Sequence, residues 1–182
     1  NDTLKAYNIL IKTAEKFGGV VVPPTYWGFL NKWHPWTMNF FDYDDEFGKQ
    51  LIEGLYQKIF LGLIEVGFKV IVGVTGHDMK QQKDALEKAV DAVKKTGKAT
   101  GFAIMEGELY DLTDDGMDHA AHWETSLMRH PTPELVDIEK IKKEDLKSDE
   151  GKKEAGIFGL DPRIYASHEL GEKIANRIAE RI

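Results

Sequence analysis

Cysteine is absent from the 182 residues of this chain, and its absence removes several kinds of chemistry. Without cysteine there is no disulfide framework, no thiolate ligand for a metal and no cysteine nucleophile. Any metal must therefore be held by nitrogen and oxygen atoms, which histidine and the carboxylates supply.

Long apolar runs are lacking as well. The apolar stretches are short and interrupted by charged residues, well below the roughly 20 residues that a membrane-spanning helix needs. Nothing in the sequence resembles a signal peptide. We therefore expect a cytoplasmic protein with no membrane partner.

Positive charge is in deficit, with 24 lysine and arginine residues against 31 aspartates and glutamates and a net charge of −7. A nucleic-acid partner would require a clustered basic face, so we expect none. The glycine-rich phosphate loops of dinucleotide-binding and Walker-type proteins are also missing. With 42% hydrophobic residues, the chain is long enough for one buried core, and we expect a single domain over residues 1–182.

Apolar periodicity predicts helices that alternate with strands. The predicted strands are residues 20–22, 68–74 and 100–105, and the predicted helices are residues 4–17, 79–95, 123–128 and 167–182, with a further long helix between Asp45 and Gly67. Strands separated by helices with short connections imply an α/β fold of three layers, a mostly parallel sheet with helices on both faces. Residues 137–156 are highly charged and lack apolar periodicity, which predicts an exposed excursion.

Two of the helices have a readable inward face. In the long helix the apolar residues at helical spacing are Phe47, Leu51, Leu55, Ile59 and Leu63. In the helix at 79–95 they are Leu86, Ala89, Val90 and Val93.

Imidazole and carboxylate groups are concentrated in two segments. His77 follows the predicted strand 68–74, and in α/β sheets ligands bind at the carboxyl ends of strands. Glu124 lies just inside a predicted short helix, where an acid is also favoured by the helix dipole alone. His119, five positions earlier, favours a site over simple capping. Although a lone histidine is often only a surface or core residue, metal binding is the leading hypothesis.

These residues carry a resemblance to a known family. The segment 118–128, Asp-His-Ala-Ala-His-Trp-Glu-Thr-Ser-Leu-Met, resembles the His-Gly/Ala-x-x-x-Glu-Thr-Ser signature of the creatininase family of metal-dependent hydrolases. Thr75-Gly76-His77 resembles that family's Asn-Gly-His turn, and residues 1–4 resemble its Thr-Asp-Thr segment. Residues 156–163, Gly-Ile-Phe-Gly-Leu-Asp-Pro-Arg, resemble its Gly-x-x-Gly-Asp-Pro stretch. Each motif is weak alone, but four in order are fairly specific.

The resemblance implies that Asp2, His77 and Glu124 are metal ligands. It implies that His119 acts near the substrate, and we expect Asp118 to share in proton handling with it. The implied cofactor is a divalent metal, with zinc first and manganese and iron as alternatives. The implied reaction is hydrolysis, in which water activated by the metal attacks an amide or another carbonyl of a small, in some cases cyclic, substrate.

Two departures from the family pattern bear on these expectations. The family supplies two further ligands from a Glu-x-His-Gly motif, and no Glu-x-His occurs in this sequence. We expect a companion segment to carry them, and three origins are open: a processed subunit, a split protein, or a leading segment outside this sequence.

Creatininase itself has an acid two positions after the histidine of its Asn-Gly-His turn, where this chain has Met79. Met79 argues against creatinine and leaves other amides, formamides and cyclic diketones derived from inositols as substrate classes.

An aromatic segment, residues 26–43, holds three of the four tryptophans. It is predicted to cap a pocket or meet another subunit, with a buried core cluster as the alternative. The candidate substrate-binding residues are His34 in this segment, together with Trp123 and Asp78. The resemblance also implies a homo-oligomer, often a hexamer.

A different class of function stays open beside the hydrolase. A chain with an incomplete metal set is also suited to be a non-catalytic subunit or binding module. A serine hydrolase is disfavoured, because Ser126 falls in a predicted helix and not on a glycine-flanked elbow.

Overall fold

The computed structural model describes residues 2–29, 41–109, 118–142 and 146–182. The chain divides into two compact units, which are considered separately below. The helical unit contains Asn1–Pro23 and Gly107–Ile182, and the sheet unit is Pro24–Glu106. A single domain over residues 1–182 stays a prediction.

The described elements alternate between helix and strand in the middle of the chain and are helical at both ends. In chain order they are α1 (Asp2–Phe17), α2 (Glu46–Val66), β1 (Val70–Thr75), α3 (Lys80–Thr96), β2 (Thr100–Met105), α4 (His122–Arg129), α5 (Asp149–Ala155), α6 (Pro162–Tyr165) and α7 (His168–Arg181). Among the described residues, none of the helices is long and apolar enough to cross a membrane.

The sheet unit contains a two-stranded parallel sheet. Strand β1 pairs with β2 from Val70 opposite Thr100 to Thr75 opposite Met105. The connection is helix α3, which the parallel pairing requires. The prediction of a parallel sheet in a mixed helix and strand fold is confirmed, with strand β2 at the predicted bounds.

The predicted strand at residues 20–22 is wrong. The structure has no regular element there, and Val20 and Val22 are exposed. A strand is held by a ladder of hydrogen bonds to a neighbour, and Pro23 and Pro24 cannot donate to such a ladder. The run of three valines at residues 20–22 was therefore not sufficient to form a strand.

The core of the sheet unit is formed by α2 and α3 against the strands. The inward face predicted for α3 is confirmed, since Leu86, Ala89, Val90 and Val93 are all buried. The face predicted for α2 is right in part: Leu55, Ile59 and Leu63 are half-buried and pack against this core, but the fully buried face is shifted by one position. Its buried residues are Gly48, Ile52, Tyr56 and Phe60, whereas Phe47 and Leu51 are exposed.

The core of the helical unit lies between α1, α4 and α7. Its buried apolar residues are Ile9, Leu127, Ile174, Ala175 and Ile178. Helix α7 approaches α4 backbone to backbone, because a Cβ atom added at Gly171 would lie 1.9 Å from the carbonyl oxygen of Ser126. Only glycine therefore permits this crossing.

The charged excursion is mostly exposed: its described residues are exposed or half-buried, except for the buried Gly156 at its end. It contains a short 3₁₀ helix, Ile138–Lys140, and helix α5, neither of which has a buried residue. Helix α5 was not predicted, although Ser148 caps it by accepting a hydrogen bond from the Gly151 N–H at 3.0 Å.

Candidate active site

Asp118 holds the amino end of helix α4. Its carboxylate accepts hydrogen bonds from the backbone N–H groups of Trp123, at 3.0 Å, and Glu124, at 3.1 Å. The Nδ1 atom of His122 lies 2.9 Å from Asp118 Oδ2. These contacts satisfy helix-start donors and fix where the next residues point.

Burial dominates the electrostatics of Asp118. It raises the pKa of the carboxyl, and the nearby charge of Glu124 raises it further. The two backbone donors and His122 act in the opposite direction without cancelling the effect of burial. Ionisation of the Asp118 carboxyl therefore carries a desolvation cost, which its cap contacts offset in part.

Both carboxylate oxygens of Glu124 are engaged. Oε1 accepts a hydrogen bond from the Lys5 ammonium at 2.6 Å, and Oε2 accepts one from the Ala120 N–H at 2.7 Å. Ala120 has a φ of 51°, in the left-handed region that glycine adopts most easily. The backbone conformation of Ala120, which follows His119, thus directs its N–H group at Glu124.

Lys5 brings a second carboxylate to the same place. Its side chain is 0% exposed, and its ammonium lies 2.6 Å from Glu124 and 3.8 Å from Asp2 Oδ1. The Asp2 and Glu124 side chains are 39% and 9% exposed. Asp2 and Lys5 share a face of α1 because they are three residues apart. We call Asp2 and Glu124 the carboxylate pair.

The carboxylate pair fits part of a metal site. Two carboxylates directed at one cation are the oxygen donors that divalent ions accept. Over residues 2–29, 41–109, 118–142 and 146–182, however, no group of three histidine, cysteine, aspartate or glutamate residues is arranged to hold a metal ion. The described residues therefore provide two converging donors to a cation and not a full set.

His119 is fixed by backbone pairing to the glycine-rich stretch near the end of the chain. Its N–H donates to the Phe158 carbonyl at 2.7 Å, and the Phe158 N–H donates to the His119 carbonyl at 2.9 Å. The two rings lie 6.2 Å apart. The bridge joins two of the segments that carry the family resemblance.

The hydroxyl groups after Glu124 have structural partners. Ser126 Oγ donates to the His122 carbonyl at 2.5 Å and accepts from the Ser167 N–H at 3.1 Å, which ties α4 to the start of α7. Thr125 Oγ1 donates to the Ala120 carbonyl at 3.3 Å. In the Glu-Thr-Ser motif, Glu124 thus supplies a carboxylate, and the hydroxyls of Thr125 and Ser126 hold the backbone on either side of it.

The Asp-Pro-Arg segment also has a structural role. Asp161 caps α6 and pairs with the Arg163 guanidinium at 2.6 Å, which holds the pKa of Asp161 below its ordinary value. The same guanidinium donates to the Lys142 carbonyl at 2.8 Å. It anchors the charged excursion to helix α6.

In the sheet unit, His77 lies just beyond the carboxyl end of β1, as its sequence position predicts. Its N–H donates to Thr75 Oγ1 at 3.1 Å, and that hydroxyl donates to the His77 carbonyl at 3.1 Å. Thr75 therefore closes the turn in which the family has asparagine. Asp78 is exposed and His77 is half-buried.

The predicted site residues are thus divided between the two units. Asp2, Asp118, His119 and Glu124 belong to the helical unit, together with Trp123, whose ring lies 4.6 Å from that of His122. His77 and Asp78 belong to the sheet unit. His34 lies outside the described residues, as does much of the aromatic segment. Of its described part, Trp27 is half exposed and Phe29 is buried.

Lys5 is the site residue that sequence reasoning missed. The available signal was a lysine on the inward face of an amphipathic helix, between Asp2 and the core residue Ile9. A lysine on such a face needs a buried anion, and a glutamate in the candidate metal motif was the natural partner.

Comparison with known proteins places these features in a family. The creatininase family model, described as creatinine amidohydrolase, matches residues 1–182. No curated protein matches this chain.

Solved creatininase structures share the fold. A tryptophan-to-phenylalanine mutant of creatininase is 20% identical with a TM-score of 0.73, and the alignment covers 98% of this chain and 79% of that one. A glutamate-to-glutamine mutant complexed with creatine is 20% identical with a TM-score of 0.72, over 98% and 80% of the two chains. A manganese form of creatininase is 20% identical with a TM-score of 0.71, over 98% and 79%. With the family model matching from end to end, this chain belongs to the creatininase family of metal-dependent hydrolases.

Proposed function

We propose that this protein hydrolyses an amide or a related carbonyl of a small molecule at a metal site that includes the carboxylate pair, Asp2 and Glu124, together with His77. The observation that carries the proposal is that Asp2 and Glu124 converge on one buried cation. That cation is the Lys5 ammonium, which lies 2.6 Å from Glu124 and 3.8 Å from Asp2. Zinc is the first candidate, with manganese and iron as alternatives. The similar solved structures include a glutamate-to-glutamine mutant of creatininase in a Zn-Zn form and a manganese form of creatininase.

A bound divalent ion supplies a coordinated water of lowered pKa and polarises a carbonyl oxygen. The protein's own contribution begins at Asp118, which fixes the start of α4 and so sets the direction of the Glu124 side chain. Ala120 then holds the second oxygen of Glu124 through its N–H group, so the carboxylate is oriented before substrate arrives.

His119 is proposed to exchange a proton with the substrate, with Asp118 assisting. The backbone bridge to Phe158 holds both the N–H and the carbonyl of His119, which fixes where its side chain leaves the backbone. Trp123, Asp78 and His34 are proposed to contact the substrate. A homo-oligomer and a sheet covered by helices on both faces belong to the same proposal.

The ligand assignment is tested by metal content. We expect Glu124→Ala and His77→Ala each to lower the bound metal per chain sharply, measured by elemental analysis of purified protein. Circular dichroism serves as the folding control. Unchanged metal content in a folded variant would remove that residue from the ligand set.

The role of His119 is tested separately from metal binding. His119→Ala should keep its metal and lose most turnover, because general acid–base catalysis typically contributes about 10²- to 10⁴-fold. His168→Ala, at an exposed histidine of the same unit, is the matched control and should keep both. Full activity in His119→Ala would refute the assignment.

The substrate class is tested with a panel of creatinine, linear amides, formamides and inositol-derived cyclic diketones. Met79 stands where creatininase has an acid, so we expect another amide to be hydrolysed in preference to creatinine. Cyclic diketone hydrolysis is the alternative within the same family. Turnover of creatinine alone would overturn this expectation.

One observation favours a second function, that of a non-catalytic subunit. The Lys5 ammonium already engages both members of the carboxylate pair. Intact mass and metal content of the purified assembly distinguish the two functions. A metal-free assembly without hydrolytic activity supports the subunit, and a metal-loaded active assembly supports the enzyme.

A further inference from the structure

Lys5 is placed as a cation inside the candidate metal site. Its side chain is fully buried, and its ammonium contacts Glu124 at 2.6 Å and Asp2 at 3.8 Å. Buried lysines are uncommon unless they are paired, and this one is paired with both carboxylates proposed as metal ligands.

A divalent ion and this ammonium cannot both occupy the space between the two carboxylates. The two cations would compete for the same oxygens, and the repulsion between them opposes their binding there together. Metal binding to Asp2 and Glu124 therefore requires the ammonium to leave the pair.

The structure offers room for that movement. A cavity of about 180 Å³ lies beside Lys5 and is also lined by Asn8, Lys12, Glu15 and His130. Asn8, one helical turn from Lys5 on the same cavity wall, offers a side-chain amide oxygen toward which the lysine side chain can turn. The four-carbon stem of lysine has the rotatable bonds to do so.

We propose that Lys5 is a built-in competitor for the metal, whose ammonium holds Asp2 and Glu124 in the metal-free protein and lowers their affinity for a divalent ion. The inference rests on the proposed function, in which Asp2 and Glu124 are metal ligands. The apparent affinity of a site that is open for only part of the time is its intrinsic affinity multiplied by the open fraction. Removing the competing charge therefore raises the affinity.

The test is a titration of Zn²⁺ into metal-free protein, followed by competition with a chromophoric chelator. Lys5→Met removes the charge and keeps the chain length close. Lys5→Gln removes the charge and keeps a donor to Glu124 in case the methionine variant folds poorly. Both should bind Zn²⁺ at least about tenfold more tightly than wild type, as expected if the ammonium holds the pair nine-tenths of the time.

Two controls make the result specific. Lys16→Met removes an exposed lysine from the same helix, where it pairs with Glu180 at 2.5 Å, and should bind Zn²⁺ like wild type. Glu124→Gln removes one proposed ligand and should lose most of the affinity.

The outcomes separate this inference from the proposed function. If Glu124→Gln loses Zn²⁺ but the two Lys5 variants bind no more tightly than wild type, the competitor role is overturned and the metal site stands. If wild type and Glu124→Gln both bind Zn²⁺ and do so with the same measured affinity, the ligand assignment fails and the competitor role fails with it. If only the Lys5 variants bind Zn²⁺, the competitor role is supported and the metal dependence of the wild-type chain is overturned.

Discussion

The ion pair between Lys5 and Glu124 predicts a large stability effect from one substitution in the metal-free protein. Lys5→Met leaves the Glu124 carboxylate, 9% exposed, without its cationic partner. Removing one member of a buried ion pair typically costs about 3–5 kcal/mol, because the other charge stays buried. The remaining bond from the Ala120 N–H and the partial exposure of Asp2 favour the lower end of this range.

The assay is urea denaturation in the presence of a chelator, so that no metal replaces the missing charge. A loss of about 3 kcal/mol corresponds to a fall in the urea midpoint of roughly 1–3 M, for m values of about 1–3 kcal/mol/M. The double variant Lys5→Met with Glu124→Gln should recover much of the loss, because the buried charge is removed together with its partner.

Lys16→Met is the matched control for this prediction. It makes the same substitution on the same helix, at a pair of similar length whose members are both exposed. Water screens such a pair, so the control should change stability far less. A Lys5→Met variant as stable as the Lys16→Met control would refute the reasoning, because it would mean that Glu124 has no need of a cation.

Two further predictions concern the helical unit. Gly171→Ala should destabilise the protein by about 3 kcal/mol or more in urea unfolding, because the new Cβ would lie 1.9 Å from the Ser126 carbonyl oxygen. The control Gly54→Ala, at an open helical position of α2, should be neutral or mildly stabilising. Equal effects of the two substitutions would contradict the close approach of α7 to α4. Burial, together with the charges of Lys12 and His168, lowers the pKa of His130, while Glu172 opposes the shift. The stability that His130 contributes is therefore present above the ordinary histidine pKa of about 6.5. It is lost as the pH falls through the lower pKa of the folded protein. The urea midpoint should therefore fall on acidification and fall less in His130→Gln, whereas an NMR titration giving His130 an ordinary or raised pKa would refute this.

Local signals were sufficient for much of the fold. Strand β2 begins at Thr100 and ends at Met105 as predicted, because its apolar run is bounded by clear helix and turn residues. The inward face of α3 was readable because lysine and glutamate mark its outer side. His77 was placed at the end of β1 because an apolar run leads directly to it.

The failures have physical causes that lie outside local sequence. In α2, apolar residues occur at neighbouring helical positions, so periodicity alone did not distinguish the stripe at Phe47 and Leu51 from the buried stripe at Ile52 and Tyr56. Lys5 was missed because its partner Glu124 is 119 residues away in the chain. A sequence shows which charges exist, and only the fold shows which of them meet.

The backbone bridge between His119 and Phe158 has a consequence for how this chain can be altered. The chain leaves α4 at Arg129, runs through the charged excursion and returns at Phe158 beside the residues that begin α4. The two ends of the excursion are therefore held in place by the helical unit itself, and doubling the length of a loop with fixed ends costs only about 0.6 kcal/mol. An affinity tag or a small domain inserted next to the exposed Lys140 would extend the molecule outward and leave the carboxylate pair where it is.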